Sequence, residues 1–239
     1  MAEDLTSRYR SLSYWLDSLP PDDPLEPRSS LSGDVEADVA IVGAGYTGLW
    51  TAYYLLAASS SLRVVVVERE IAGFGASGRN GGWCSALFPA SWEKIARASS
   101  RSDAVRLQRE MFAAVDEVGR VAAAEGIDIG WAKGGTIAIA RTPLQAERAR
   151  ASVERARSWG FGEQDFRLMS AGEVRELINV PDALGGVYTP HCAAIHPARL
   201  VRGLAQAVER RGGEIFERTP CVAISPGEVL TPHGRVSAR

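Results

Sequence analysis

The sequence has 239 residues, of which 46% are hydrophobic and 23% charged, and its formal net charge is -2. These values are typical of a globular protein with one large domain or two interleaved ones. The absence of a basic excess argues against a nucleic acid or an anionic membrane as partner, and no apolar run approaches the roughly 20 residues that cross a bilayer.

An N-terminal arm is predicted over residues 1–37. The start of this arm is acidic and lacks a long apolar core, so a signal peptide is not predicted. The stretch PPDDPLEP predicts extended, irregular backbone because proline fixes φ and removes a donor. Further upstream, Tyr14, Trp15, Leu16 and Leu19 are expected to cover apolar surface of the body, in preference to a role in substrate entry.

Residues 39–68 predict one strand–helix–strand unit. VAIV (39–42) is a β-branched run typical of a buried parallel strand, and RVVVVE (63–68) is a second such strand that ends in an acid. Apolar and aromatic residues dominate 46–58, which suits a buried helix. Together the three segments form a βαβ unit with a glycine-rich turn after its first strand.

The rest of the chain predicts a long glycine-rich loop over 73–82, followed by further helices and strands. Helices are expected at 103–125, 143–159, 170–177 and 196–213, and strands at 136–140, 185–190, 214–218 and 221–224, with a hairpin over 228–239. Pro197 and Gly212 delimit the fourth of these helices, and Ser170 with Glu173 forms a capping box.

The glycine-rich turn fits the pattern G-x-G-x-x-G, which consists here of Gly43, Ala44, Gly45, Tyr46, Thr47 and Gly48. Such a triplet alone is weak evidence, but this one follows a strand, opens a helix and precedes Glu68 by about twenty residues. The first glycine permits a tight turn, the second lets a pyrophosphate approach, and the third lets the helix pack close to the strand. Glu68 would accept hydrogen bonds from ribose hydroxyls, which disfavours NADP.

The second glycine-rich loop bears on the choice between FAD and NAD. Small side chains and free amides occur at Ser77, Gly78, Arg79, Asn80, Gly81 and Gly82. Such a stretch can run along an extended cofactor and donate N–H groups to phosphate and ribityl oxygens. Each segment also has an interpretation without a cofactor. The first would then be a glycine-rich turn that binds no ligand, and the second a flexible surface loop.

The stretches DVAIVGAGYTGL, VVVVERE and GFGASGRNGG resemble the start of FAD-dependent amino-acid and amine oxidoreductases of the D-amino-acid oxidase and glycine oxidase superfamily. They are most similar to its gamma-glutamylputrescine oxidoreductase-like branch. The resemblance runs from SYWLDSL to the end of the chain. The dinucleotide fingerprint is shared with many flavoproteins, whereas the GASGRNGG loop is much more specific.

The resemblance implies an α/β fold, in which a Rossmann-like FAD-binding domain is interleaved with an α+β substrate domain. The implied boundaries are an arm (1–37), a first FAD-binding segment (38–88), a substrate-domain segment (89–190) and a second FAD-binding segment (191–239). In the implied FAD site, the six turn residues match the turn that binds the pyrophosphate. Glu68, with Arg69 beside it, matches the acid that binds the ribose. Val222 matches the residue whose backbone contacts the adenine. The six loop residues from Ser77 to Gly82 match the loop beside the phosphates and the flavin.

The mechanism that the resemblance implies is hydride transfer from the carbon that bears an amine to the flavin, with a small-molecule amine or amino acid as substrate. It needs no metal, and no catalytic residue is assigned. Cys84, Cys192 and Cys221 imply no disulfide and suggest reduced thiols in a cytoplasmic protein. His196 is expected to serve the start of a helix, while His191 is expected either to pack or to face substrate.

Members of that superfamily are longer, so the fold is expected to lack its C-terminal part, and a missing C-terminal half is a candidate partner. Two other functions stay open. One is a non-catalytic, truncated dinucleotide-binding remnant. The other is an NAD-dependent reductase, which the long insertion after the second strand disfavours.

Overall fold

The computed structural model describes residues 5–21, 23 and 25–238, and these residues form two units. Unit 1 comprises the described residues of 1–82, 122–129 and 196–239. Unit 2 comprises residues 83–121 and 130–195. Both units therefore draw on segments that are far apart in the sequence.

Helices and strands alternate along most of the described chain. The helices are α1 (Leu5–Arg10), α2 (Tyr14–Asp17), α3 (Tyr46–Ala58), α4 (Trp92–Ala98), α5 (Arg101–Ala124), α6 (Pro143–Ser158), α7 (Ala171–Leu177) and α8 (Pro197–Arg210). The strands are β1 (Val35–Ala37), β2 (Val39–Val42), β3 (Val64–Val67), β4 (Trp83–Ser85), β5 (Thr136–Ala140), β6 (Arg167–Ser170), β7 (Gly185–Thr189), β8 (Cys192–Ala194), β9 (Glu214–Phe216), β10 (Ala223–Ser225), β11 (Glu228–Thr231) and β12 (Gly234–Ala238).

Unit 1 contains a parallel sheet of order β2-β3-β9. Every residue of the central strand β3 is buried, as expected for a β-branched strand covered on both faces. The strand β2 pairs in parallel with β3, as predicted, but it lies at one edge and is only half-buried, with Val42 46% exposed, so the expectation that it is buried is wrong. Helix α3 connects β2 to β3 and packs against α8, which leads into β9.

A second sheet of unit 1 has the order β1-β12-β11-β10. The hairpin of β11 and β12 lies where the sequence predicts it, around Pro232 and Gly234. Strand β12 pairs in parallel with β1, with Val35 opposite Val236. The side chains of Leu31, Val65, Val67, Val229 and Val236 form a common core between the two sheets.

The N-terminal arm packs onto the rest of unit 1. Leu16 and Leu19 are buried in a cluster with Ile71 and Ala198, so the expectation that they cover apolar surface is confirmed. Tyr14 is 74% exposed and does not share this role. Helices α1 and α2 and strand β1 show that the arm is not irregular throughout, although no helix or strand occurs in the described part of PPDDPLEP.

Unit 2 contains an antiparallel sheet of order β5-β7-β6 and the short antiparallel pair β4–β8. Its main core gathers the side chains of Phe112, Val115, Trp159 and Phe161. Helix α6 begins at a capping box formed by Thr142 and Gln145, and α7 begins at the predicted box of Ser170 and Glu173. The predicted α/β class, with a Rossmann-like part and an α+β part, is confirmed.

Candidate functional site: a dinucleotide cradle and a separate cavity

The glycine turn between β2 and α3 has the backbone that its sequence predicts. Gly43 has a φ of +101°, a conformation that side chains rarely allow. A Cβ atom on Gly48 would lie 2.1 Å from the carbonyl oxygen of Gly43 and 3.1 Å from Ile41. Only glycine at position 48 therefore lets helix α3 approach the end of β2 this closely.

The start of α3 offers backbone donors. Gly45 is the N-cap residue and has no side chain to accept the first N–H groups of the helix. Within the part of the chain that the structure describes, the N–H groups of Gly45, Thr47 and Gly48 have no hydrogen-bond acceptor. Unpaired donors and the positive end of the helix dipole together favour an anion, which fits the pyrophosphate of a dinucleotide.

Glu68 follows β3 and reaches back to the turn. One carboxylate oxygen accepts the N–H of Ala44 at 2.8 Å, and the other accepts the N–H of Glu70 at 3.0 Å. A carboxylate has about four lone-pair positions, so both oxygens can still accept ribose hydroxyls. The acid therefore fits the ribose role and at the same time fixes the turn. The adjacent Arg69 is exposed.

The second glycine-rich loop is hydrogen-bonded to the first. The Ser77 hydroxyl accepts the N–H of Tyr46, the first residue of α3, at 2.9 Å. The N–H of Gly73 donates to the carbonyl of Ala44 at 3.0 Å. Gly78 is also required sterically, because a Cβ atom there would lie 2.2 Å from the carbonyl oxygen of Gly73. The second loop is therefore packed against the glycine turn and hydrogen-bonded to it, and it is not a free linker.

Asn80 and Arg79 differ in their roles within this loop. The Asn80 amide donates to the carbonyl of Ser77 at 3.0 Å and accepts the N–H of Gly82 at 2.9 Å. Gly82 has a φ of +68° and Gly81 is exposed. The Arg79 guanidinium is exposed and lies 5.1 Å from the centre of the Phe74 ring. Asn80 therefore shapes the loop, while Arg79 leaves a positive charge near its surface.

Val222 is less well suited to its predicted contact. Its N–H donates to the carbonyl of Leu230 at 2.8 Å, and its side chain is 64% exposed. A backbone contact to adenine through this N–H would compete with the pairing of β10 and β11. The contact between the Val222 backbone and adenine stays a prediction, and it now concerns the carbonyl group of Val222.

Two buried polar residues near the cradle were not predicted from the sequence. Glu217 is fully buried and accepts the N–H of Ala72 at 2.7 Å, just before the second glycine-rich loop. The N–H of Thr219 donates to the carbonyl of Glu68 at 2.8 Å. The sequence did contain a signal for Glu217, since this acid directly follows the third strand of the parallel sheet. The carboxyl ends of parallel strands meet at one edge of the sheet, where the glycine turn also lies.

Unit 2 has its own cavity of about 730 Å³. Its walls are the segment 83–92, strands β5 and β7, helix α6 and parts of α5. His191 belongs to the wall: its ring stacks on Phe112 with centroids 3.6 Å apart, and its Nε2 lies 3.1 Å from Asp165. His196, in contrast, is the N-cap of α8, where its Nδ1 accepts the N–H of Arg199, as the sequence predicts.

The described cysteines are all free thiols, and two of them have raised pKa values. Burial, with a smaller contribution from Cys192, raises the pKa of Cys84 to about 11. Burial also raises the pKa of Cys192. Across the described residues no cluster of side chains is suited to a metal ion, and no helix has the length and apolarity to cross a membrane.

Comparison with known proteins places this geometry in a family. The model of a family described as FAD dependent oxidoreductase (DAO) matches residues 38–239. Gamma-glutamylputrescine oxidoreductase of Escherichia coli is 29% identical over 218 residues, which cover 89% of this chain and 50% of that protein. Human mitochondrial sarcosine dehydrogenase is 25% identical over 188 residues, which cover 79% of this chain and 19% of that protein.

Solved structures agree with the sequence matches. Glycine oxidase from Geobacillus kaustophilus superposes with a TM-score of 0.66 at 26% identity, over 85% of this chain and 54% of that one. An L-amino acid deaminase from Proteus vulgaris has a TM-score of 0.69 over 92% of this chain and 56% of that one, and at 19% identity it shows the fold alone. The chain spans about half the length of the curated bacterial relative and of the glycine oxidase that it matches.

Proposed function

The chain belongs to the DAO family of FAD-dependent oxidoreductases, and on that premise we propose that it takes part in oxidising a carbon–nitrogen bond of a small-molecule amine or amino acid. When bound, FAD supplies the hydride acceptor for this oxidation. The observation that carries the proposal is the pair of interlocked glycine loops, in which Tyr46 and Ala44 of the turn bond to Ser77 and Gly73 of the loop.

The residues of the cradle have separate roles in this proposal. The N–H groups of Gly45, Thr47 and Gly48 bind the pyrophosphate, and Glu68 accepts the ribose hydroxyls. Ser77 keeps the second loop beside the turn and Asn80 fixes the shape of that loop, so that its N–H groups are available to the remaining part of the cofactor. Arg69, Arg79, Gly81, Gly82 and the Val222 carbonyl complete the proposed site.

The substrate class draws its support from relatives, which include gamma-glutamylputrescine oxidoreductase, sarcosine dehydrogenase and glycine oxidase. The substrates in these names are those of the relatives. A cytoplasmic location is likewise a prediction, based on the three separated cysteines. The NAD-dependent alternative is wrong, because the matching family depends on FAD.

One experiment tests cofactor and reaction together. The purified protein is examined for the visible absorption of oxidised flavin, and the cofactor released on denaturation is identified and quantified. Under anaerobic conditions, amines and amino acids are then added singly. We expect bound FAD, and bleaching of the flavin band by a substrate with a hydrogen on the carbon next to nitrogen. Full occupancy without bleaching by any of these compounds would contradict the oxidation.

A second candidate function is FAD binding without turnover. It is favoured by one observation: the residues to which a role is assigned, in the two glycine loops and at Glu68, all belong to the cofactor cradle. The same experiment separates the two candidates, since a non-catalytic protein holds FAD but shows no substrate-driven bleaching. A colourless protein that takes up no added FAD would contradict both.

A further inference from the structure

Residues 70–74, which we call the connecting segment, lead from the end of β3 to the second glycine-rich loop. None of these residues is exposed. The N–H of Gly73 donates to the carbonyl of Ala44 in the glycine turn at 3.0 Å. A Cβ atom on Gly73 would lie 2.3 Å from the side chain of Val201. Because the segment is so closely packed, its position sets how the second loop meets the turn.

Helix α1 of the N-terminal arm contacts both ends of the connecting segment. The Tyr9 hydroxyl donates to the Glu70 carboxylate at 3.2 Å, and the Tyr9 ring lies edge-on to the Phe74 ring, with centroids 6.1 Å apart. Burial, followed by the charge of Glu70, raises the pKa of Tyr9, which keeps the phenol protonated and able to donate. Tyr9 is 1% exposed, so the arm can release the segment only by breaking a buried contact.

A later part of the arm holds the middle of the same segment. The Glu217 carboxylate is fully buried and accepts the N–H of Ala72 at 2.7 Å. It also accepts the backbone N–H of Arg28 at 2.7 Å and the guanidinium of Arg28 at 2.9 Å. Glu217 therefore bridges the arm to the connecting segment, and two separate parts of the arm converge on this one segment.

The covering of apolar surface does not by itself account for these contacts. Leu16 and Leu19 of the arm already cover apolar surface around Ala198. The hydrogen bonds at Glu70 and Ala72 add direction, because a hydrogen bond fixes the distance and angle of its partners, whereas apolar burial is non-directional. The family match begins only after the arm, so the match itself assigns the arm no role.

From these contacts we infer that the N-terminal arm positions the FAD-binding loops. Tyr9 and Arg28 hold the connecting segment, and the segment holds the second glycine-rich loop against the glycine turn. Both are positioning residues, which act through their neighbours and not by touching the cofactor. The inference rests on the FAD site of the proposed function and does not depend on the oxidation. Because coupling between two binding events is reciprocal, FAD in turn stabilises the docked arm.

The test measures FAD affinity in variants of the arm. Flavin-free protein is titrated with FAD for the wild type, Tyr9→Phe and Tyr9→Leu. The first variant removes only the bond to Glu70, and the second also removes the ring contact with Phe74. Because Tyr9→Phe retains the buried ring, it reports on the bond to Glu70 even where Tyr9→Leu folds poorly. Tyr14→Leu is the matched control, since Tyr14 belongs to the same arm and is 74% exposed.

A second control separates positioning from a loss of stability. Val208 is fully buried near the end of α8, and Val208→Ala leaves a cavity there. This position is roughly 16 Å along the helix from Pro197 at its start. Urea unfolding of the flavin-free proteins measures stability. Hydrogen exchange of the α1 amides, followed by mass spectrometry with and without FAD, measures the reciprocal effect, with α7 of unit 2 as the reference.

We expect FAD to bind about threefold more weakly to Tyr9→Phe and about tenfold more weakly to Tyr9→Leu than to the wild type. Tyr14→Leu and Val208→Ala should keep wild-type affinity, although Val208→Ala is less stable. FAD should slow hydrogen exchange in α1 of the wild type and not in Tyr9→Leu. Wild-type affinity in both Tyr9 variants, an equal loss in Val208→Ala, or unchanged exchange in α1 on FAD binding would overturn the inference.

The inference and the proposed function fail in different ways. A protein that binds FAD and is bleached by an amine, but whose FAD affinity does not depend on Tyr9, contradicts only the inference about the arm. A protein whose FAD affinity depends on Tyr9, but whose flavin no substrate bleaches, contradicts only the oxidation. A protein that takes up no FAD contradicts both.

Discussion

Glu68 connects the end of β3 to the glycine turn through a single carboxylate, so its role is both structural and, in the proposed function, cofactor-binding. The bond from Ala44 N–H to Glu68 is 2.8 Å long. A charged acceptor contributes more to such bonds than a neutral one. Substitution should therefore affect the turn and the ribose contact together.

Replacing Glu68 with alanine should weaken FAD binding by about tenfold or more, because hydrogen bonds to charged groups contribute roughly 1.5–3 kcal/mol. Gly45→Val should abolish binding, since even a Cβ atom there would lie 3.0 Å from the Ser77 hydroxyl and further bulk would block the pyrophosphate. The measurement is titration of the flavin-free protein with FAD. Glu36→Gln is the matched control, because that side chain is 77% exposed. Wild-type affinity in both cradle variants would contradict the site.

At the level of single residues, the sequence predicted those whose role is set by local backbone. Gly43 and Gly48 could be assigned because a tight turn and a close helix approach have a fixed sequence pattern. The pairing of Glu217 with Arg28 could not be predicted, because the two residues are 189 positions apart and no local pattern marks the pair. The Ser77 hydroxyl was expected near the cofactor, but its bond to Tyr46 depends on how the two loops meet.

The N-cap residue of helix α8 makes the stability of this helix depend on pH. His196 Nδ1 accepts the N–H of Arg199 at 3.2 Å, and its Nε2 lies 3.1 Å from the Ser18 hydroxyl. The cap requires a neutral ring, since a protonated Nδ1 cannot accept. Burial first, and then the charge of Arg199, lower the pKa of His196 below its ordinary value of 6.5.

Because the folded state favours neutral His196, the stabilisation is fully present above pH 6.5 and is lost as the pH falls below that value through the lowered pKa. His196→Asn keeps a capping acceptor and removes the titration. In urea unfolding, the wild type should lose more stability than this variant between neutral pH and about pH 5. His196→Ala should cost about 1 kcal/mol at neutral pH. An identical pH dependence in wild type and His196→Asn would refute the role of the cap.

Among the elements, those with a strong local sequence pattern were predicted and those without one were not. Helix α3 has the predicted bounds, and α5, α6 and α8 differ from prediction by a few residues at their ends. Strands β4, β6 and β8 were missed because they lack the β-branched residues that mark the equally short strands β2 and β3. Trp83 of β4 pairs with Ala194 of β8, and no local pattern reveals so distant a partner.

At the scale of the whole molecule, buried ion pairs attach the N-terminal arm to the rest of unit 1. Arg28 donates from its backbone N–H and its guanidinium to Glu217, at 2.7 and 2.9 Å, and Arg202 forms two bonds to Asp23. Glu217 also accepts the N–H of Ala72. Three separate segments of the chain therefore depend on one carboxylate.

Glu217→Gln should lower the free energy of unfolding by about 1.5–3 kcal/mol, because the fully buried carboxylate accepts three hydrogen bonds on its two oxygens and an amide has only one accepting oxygen. Glu209→Gln, which removes the other partner of Arg28, is the control: Glu209 is 39% exposed, and its loss should cost less than about 1 kcal/mol. Both are measured by urea unfolding. If the two variants were equally stable, the buried pair would not be what attaches the arm.

The parallel pairing of β1 with β12 joins two strands that the ribosome synthesises at very different times. The bond from Arg235 N–H to Asp34 spans 201 residues. A ribosome adds about 5–20 residues per second, so β1 waits roughly 10–40 s for its partner strand to be made. During that interval the edge of β1 is open to any other extended chain nearby, and the nascent polypeptide needs a chaperone or a covering segment to shield the unpaired strand.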